Sequence, residues 1–208
     1  WRLVRMKSNK LIKKTELPIV YISTNLYSMG FSISSKTDYG RAINENNLVL
    51  KVLSKLPHKV CYKTYPEDNR RYADSDPVLN SVKLSHNMKI FSKKIDMRYI
   101  INRYNILVTS CATSTLGWLA MSEKPIVFIN DKNNNPLTNS AYDSISKGMF
   151  VFSANDENFH LNLRVFLSKP VEVIEELWKE KKLIRNEMIR EFFTAYSGGA
   201  GKKASKII

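Results

Sequence analysis

The chain has 208 residues, 43% of them hydrophobic and 25% charged, which is enough apolar matter for a core and too much for a chain disordered along its length. No apolar run approaches the roughly 18 to 20 residues that span a bilayer, and the first residues hold no apolar signal core, so the sequence reads as a soluble domain. Its 33 Lys and Arg against 19 Asp and Glu give a net charge of +14, the largest departure from an average domain, and imply an anionic partner.

That charge opens the chain. Arg2, Arg5, Lys7, Lys10, Lys13 and Lys14 occur with no acid among them, so residues 1–16 read as a basic linker. The first residue is Trp1, not Met, so the sequence reads as an excised piece, a processed product or one part of a longer protein. Short β-rich runs then alternate with helical periodicity, the pattern of a mostly parallel sheet covered by helices. Leu17 to Thr24 (LPIVYIST) is the first strand. After a polar loop with Gly30 and Gly40, residues 41–56 carry Ile43, Leu48, Leu50, Val52 and Leu53 at helical spacing, and Lys59 to Lys63 (KVCYK) returns to strand.

A Pro- and Asp-rich loop over 65–77 precedes a strand at Met88 to Phe91, a helix at about 95–104 and a strand at Ile106 to Cys111. A helix over 112–123 and a buried strand at Pro125 to Ile129 follow. An Asn-rich loop leads to a short helix ending near Gly148, then to a strand at Met149 to Phe152. Helices are expected over 156–167 and, with Ile174, Leu177, Trp178, Ile184, Met188 and Phe192 on one face, over 170–196. The expected fold is therefore α/β and Rossmann-like: about six strands, helices on both faces, one domain over 17–197 with a long C-terminal helix, and a flexible basic tail at 198–208.

Cys61 and Cys111 both fall in apolar runs and read as core thiols. Two cysteines are no disulfide framework, which favours a reducing cytoplasm. His58, His86 and His160 lack ligand spacing, and Asp74-Ser75-Asp76 has no strand before it, so no metal site is expected.

In a parallel sheet, ligands bind beyond the carboxyl ends of the strands. Three such ends hold unusual residues. At Thr109 to Thr115 a strand enters a helix through hydroxyls at Ser110, Thr113, Ser114 and Thr115, a setting for phosphate as well as for an ordinary helix cap. Lys63, Tyr65 and Pro66 follow the second strand, where a lysine can neutralise phosphate. Ser23, Thr24 and Asn25 follow the first. There is no GxGxxG, Walker or GxSxG sequence, and neither cysteine has a histidine nearby in the sequence.

This order of elements resembles the C-terminal, donor-binding half of GT-B-fold glycosyltransferases. Its motifs resemble those of bacterial surface-polysaccharide enzymes: Kdo and sialic acid transferases and CDP-glycerol glycerophosphotransferases. The resemblance runs from about Leu17 to Tyr196. It places Lys63, Thr64, Tyr65 and Pro66 on the Lys-x-His-Pro turn of those families, with Tyr for His, and Thr113, Ser114 and Thr115 on their hydroxyl turn. Trp118, Leu119 and Ala120 stand where an acid often follows.

The resemblance implies a cytidine-linked sugar donor as substrate, no further cofactor, and a saccharide or lipid-linked acceptor. It also implies a catalytic base on a separate N-terminal domain, and a cytoplasmic location that permits contact with the anionic inner leaflet. Two other readings stand beside it. One is a basic nucleic-acid-binding module, in which Phe91, Tyr99 and Tyr104 beside Lys and Arg would stack on bases. The other is an interaction domain that has kept the fold and lost activity.

Overall fold

A computed structural model describes residues 17–24, 38–65, 76–133 and 137–194, with Lys202, Ser205 and Lys206 beyond them. The basic segment 1–16, Asn25 and Pro66 lie outside the described residues, as does most of the tail. Six strands form one sheet: β1 (Ile19–Ile22), β2 (Val60–Lys63), β3 (Met88–Phe91), β4 (Ile106–Thr109), β5 (Ile126–Asn130) and β6 (Phe150–Ser153). Their order is β3-β2-β1-β4-β5-β6 and every pairing is parallel. The central strands are apolar at nearly every position because both faces are covered. Ile19, Val20, Tyr21, Val60, Ile106, Leu107, Val108, Ile126 and Val127 are all fully buried.

The register fixes which residues share a face. Tyr21 pairs with Tyr62 and Val108, so their side chains leave the sheet together, and Ile22, Lys63 and Thr109 leave on the opposite side. Helix α1 (Asp38–Lys51) covers the tyrosine face, packed between α2 (Pro77–Leu84) and, further along, the later helix α5 (Phe159–Leu167). Helices α3 (Ser114–Ala120) and α4 (Asn139–Gly148) precede α5, and α6 (Val171–Glu180) and α7 (Lys182–Phe192) follow it. The expected Rossmann-like α/β architecture is thus present, and the strand order reverses between β1 and β4, the switch point where such sheets bind ligands. No helix among the described residues is long and apolar enough to cross a membrane.

Several elements differ from the expectation, each for a local reason. The loop expected through Pro77 gives way to α2. Asp76 accepts the Leu79 N–H as N-cap, Pro77 takes the first turn, and Val78 and Val82 face the core. Asp76 is therefore a cap, and the described residues hold no group of acids, His and Cys able to bind a metal.

The helix expected at 95–104 is two 3-10 turns, Met97–Tyr99 and Ile101–Arg103, joined at Ile100 with φ −121°. Cys61 is buried and accepts from the Tyr104 hydroxyl at 3.2 Å. Cys111 lies past the end of β4, half-exposed, and is no core thiol.

The long C-terminal helix is divided at Lys181 (φ −79°, ψ 3°) into α6 and α7. The carbonyl of Trp178, beside the break, receives the buried Arg185 Nη1 at 2.7 Å, and that guanidinium stacks on the Trp178 ring at 3.8 Å.

Candidate functional site

Two clefts open at the carboxyl edge of the sheet, on either side of the switch point. The first is lined by Ile22, Ser23, Lys63, Thr64, Tyr65, Asp96, Met97, Ser114, Thr115 and Trp118, and holds about 260 Å³. Lys63 is its centre. The strand end carries the side chain down into the cleft, where the residue is only 1% exposed. Among the described residues its ammonium group donates one hydrogen bond, to the Thr64 carbonyl at 2.7 Å, and lies 5.5 Å from the centre of the Phe91 ring.

Burial pushes its pKa down, and the neighbouring acids Cys61 and Asp96 only partly oppose that. Asp96 does not offset the charge alone, because it is itself held by Arg98, through the backbone N–H at 2.9 Å and the guanidinium at 2.7 Å. The Arg98 guanidinium in turn lies 4.6 Å from the centre of the Trp118 ring, which lines the cleft. Among the described residues, two cations and one carboxylate leave this corner with an excess positive charge.

Ser114 and Thr115 bring hydroxyls to the same cleft from the first turn of α3. The ordinary reading of hydroxyls at a helix start is a cap, yet among the described residues no side chain caps α3. The N-cap Thr113 has its hydroxyl 3.0 Å from the Cys111 sulfur instead. Thr113 is exposed and lines neither cleft.

The second cleft, about 170 Å³, lies on the tyrosine face between α1 and α5. Its floor is a hydrogen-bonded cluster. Glu45, on the inner side of α1 and 6% exposed, accepts from the Tyr21 hydroxyl at 2.6 Å and the Tyr62 hydroxyl at 2.7 Å. Tyr62 also reaches the Ser23 hydroxyl at 3.1 Å, and Ser110 lies 3.4 Å from the Tyr21 oxygen. Burial, and after it the Glu45 carboxylate, hold both phenols well above their ordinary range, so they remain protonated donors. Above this floor Arg41, Asn44, Asn47, Asp131 and His160 supply charged and amide groups, with Thr24 and Ser110 at the strand ends.

The residues singled out in the sequence are therefore divided. Ser23, Lys63, Tyr65, Ser114 and Thr115 meet in the first cleft, while Thr24 and Ser110 belong to the second. Sequence reasoning missed Asp96, Trp118, Glu45, Arg41 and Asp131. Arg41 and Glu45 stand four apart on one helix, a spacing that could have drawn attention to that helix face.

No family model matches the chain, and no curated protein sequence does. Among solved structures it is similar to WaaG, a glycosyltransferase involved in lipopolysaccharide biosynthesis, at 15% identity and a TM-score of 0.50, over 100% of this chain and 50% of that one. It is similar also to a glycosyltransferase from Rickettsia africae ESF-5, at 13% identity and a TM-score of 0.53, over 99% of this chain and 50% of that one. A third is the spinosyn rhamnosyltransferase SpnG complexed with thymidine diphosphate, at 11% identity and a TM-score of 0.50, over 88% of this chain and 44% of that one. The chain spans about half the length of these solved glycosyltransferases, and at such identities what it shares with them is the fold.

Proposed function

We propose that this domain binds the nucleotide-activated sugar donor of a glycosyltransferase, with the donor phosphate in the Lys63 cleft. The observation that carries the reading is the Lys63 ammonium group, buried at a strand end beside the switch point and, among the described residues, donating to a single carbonyl oxygen. A buried cation is destabilising unless a counter-charge meets it. A phosphate oxygen would supply that charge and take the remaining N–H donors, while Ser114 and Thr115 would donate hydroxyl hydrogens from the other wall. Similarity of fold to donor-using enzymes, one of them complexed with thymidine diphosphate, supports the same ligand class.

The second cleft suits the saccharide portion. Asp131, Asn44, Asn47 and Arg41 present the carboxylate, amide and guanidinium groups that hydroxyl-rich ligands hydrogen-bond, against the apolar walls of Leu48, Ile129 and Phe159. Asn25 and Pro66, which the family resemblance also places near the donor, lie outside the described residues. In this proposal the acceptor is a saccharide or lipid-linked saccharide and a second domain supplies the base: among the described residues the carboxylate lining the Lys63 cleft, Asp96, is engaged by Arg98, and in the second cleft Glu45 accepts from both tyrosines and Asp131 from the Asn133 N–H. In this reading Lys63 and the hydroxyls would meet the donor phosphate directly, without a metal between them.

A thermal-shift panel of cytidine, uridine, thymidine, guanosine and adenosine mono- and diphosphates tests the reading, because a ligand that binds only the native state raises the melting temperature. The expected result is a saturable shift with at least one nucleotide, largest for cytidine. A larger shift with another base would replace the cytidine assignment and keep the site. Affinity that grows with oligonucleotide length and falls steeply with salt would instead favour nucleic-acid binding.

A further inference from the structure

Glu45 reaches both clefts through two tyrosine arms. The Tyr21 hydroxyl stands 2.6 Å from Glu45 Oε2 and 3.4 Å from the Ser110 oxygen, and the Tyr62 hydroxyl stands 2.7 Å from Glu45 Oε1 and 3.1 Å from the Ser23 oxygen. Ser110 lines the second cleft and Ser23 lines the Lys63 cleft. A single hydrogen-bonded chain, Ser23–Tyr62–Glu45–Tyr21–Ser110, therefore joins the two.

Proton counting gives this chain a direction. A phenol has one proton to donate, and an ionised carboxylate only accepts. Each tyrosine chooses between a carboxylate oxygen at 2.6 or 2.7 Å and a serine at 3.4 or 3.1 Å, and the shorter, charge-assisted bond takes the proton. Two such donors in turn favour the ionised form of Glu45. Both phenol oxygens are then left as acceptors. Ser110 can bond Tyr21 only by donating to it. The Ser23 proton has the Tyr62 oxygen at 3.1 Å and the Thr24 carbonyl at 3.2 Å, and both lie in the protein. Neither serine keeps a proton for its cleft.

We infer that Glu45 is a positioning residue that presents Ser23 and Ser110 to their clefts as acceptors, so that each meets a hydroxyl or amino group of the ligand and not a phosphate oxygen. Ser114 and Thr115 have the opposite character, since they sit at a helix start that no side chain caps among the described residues and can turn their protons to the cleft. The Lys63 cleft is thereby divided: Lys63, Ser114 and Thr115 suit phosphate, and Ser23 suits a ribose or sugar hydroxyl. In the second cleft Ser110 and Asp131 select a saccharide with free hydroxyls over one that bears phosphate or carboxylate there. The ligand classes rest on the donor reading above, whereas the hydroxyl directions do not.

Neutron diffraction from perdeuterated crystals of the 208-residue chain, without ligand, reads the directions. The deuterons of Tyr21 and Tyr62 are expected on the Glu45 side, that of Ser110 toward Tyr21, and that of Ser23 toward Tyr62 or the Thr24 carbonyl. Glu45→Gln, with one acceptor oxygen in place of two, should release one phenol proton and turn one serine deuteron into its cleft. A deuteron on Glu45 of the native chain, or a tyrosine deuteron directed at a serine, would overturn the inference.

Binding supplies the second arm. Pyrophosphate and cytidine diphosphate are titrated into the native chain and into Ser23→Ala, whose melting temperature reports its folding. Pyrophosphate affinity should stay within about twofold, and cytidine diphosphate affinity should fall about fivefold, the worth of one hydrogen bond. Equal loss on both probes, or loss on neither, would overturn the role of Ser23. Failure of pyrophosphate to bind the native chain would count against the phosphate reading alone, because the deuteron positions are read without ligand.

Discussion

Lys63 shows how a residue can lower stability and still be kept. Its folded pKa lies below that of the unfolded chain, so between the two values the native state holds fewer protons and stability rises with pH across that window. Below that window the burial penalty is present in full. Lys63→Met should therefore fold with an unchanged or raised melting temperature. The same substitution should weaken phosphate binding by about 1.5 to 3 kcal/mol, the range for a charge-assisted hydrogen bond. Calorimetric melting and nucleotide titration of one variant check both halves.

Nucleotide affinity of the native chain should also fall as pH rises through the depressed pKa, since the neutral amine attracts phosphate weakly; titrations across alkaline pH measure this. The tyrosines have the opposite sign. Tyr21, Tyr62 and Tyr104 have folded values raised above the unfolded one, so their contribution is complete below about pH 10 and is lost as pH climbs from there. Denaturant midpoints should drop above about pH 10, and phenolate absorbance from these three should appear together with unfolding. Phenolate formation without loss of structure would contradict the buried hydrogen-bonded cluster.

At the scale of elements, the hydroxyl turn into α3 separates structure from binding. Because no side chain among the described residues caps that helix, Ser114→Ala with Thr115→Ala should leave stability within about 0.5 kcal/mol and reduce nucleotide affinity. A lowered melting temperature with unchanged affinity would make these residues structural.

The α4–α7 contact is close-packed. A Cβ on Gly148 would stand 3.0 Å from the Met188 methyl carbon and 3.2 Å from the Arg185 backbone. Gly148→Ala should then cost about 1 to 3 kcal/mol by overpacking, measurable by urea denaturation.

The strands were legible in the sequence because residues buried on both faces form continuous apolar runs, as in IVYI, VCYK and ILVT. Helix α2 was hidden by a loop-like composition whose Asp76-Pro77 pair is in fact its cap and first turn. The division at Lys181 was hidden because hydrophobic periodicity runs through it. What makes the break tenable is a tertiary bond from Arg185 to a backbone carbonyl, and no local pattern announces that.

On the scale of the whole molecule, the sheet order determines what the site contains, and sheet order is not written locally in a sequence. Lys63, Ser114 and Thr115 were legible as ends of separate strands. Their convergence depends on β1 lying between β2 and β4. The Tyr21–Glu45–Tyr62 cluster depends on the same neighbour relation, and nothing within α1 marks Glu45 as the partner of two tyrosines on separate strands.

The chain spans about half of the solved glycosyltransferases it resembles in fold, and the proposal gives the catalytic base to a second domain. This chain alone should accordingly bind donor without transferring sugar, so a nucleotide-release assay with nucleotide-sugar and acceptor should stay at background. Turnover that disappears on mutating one of this chain's own acids, such as Asp131, would refute the division of labour.

The most direct measurement is titration calorimetry of nucleoside diphosphates into the native chain and into Lys63→Met. The account predicts saturable binding at one site in the native protein, and its loss in a variant whose melting shows it fully folded. Equal affinity in both proteins, or no binding of any nucleotide to the native chain, would contradict it.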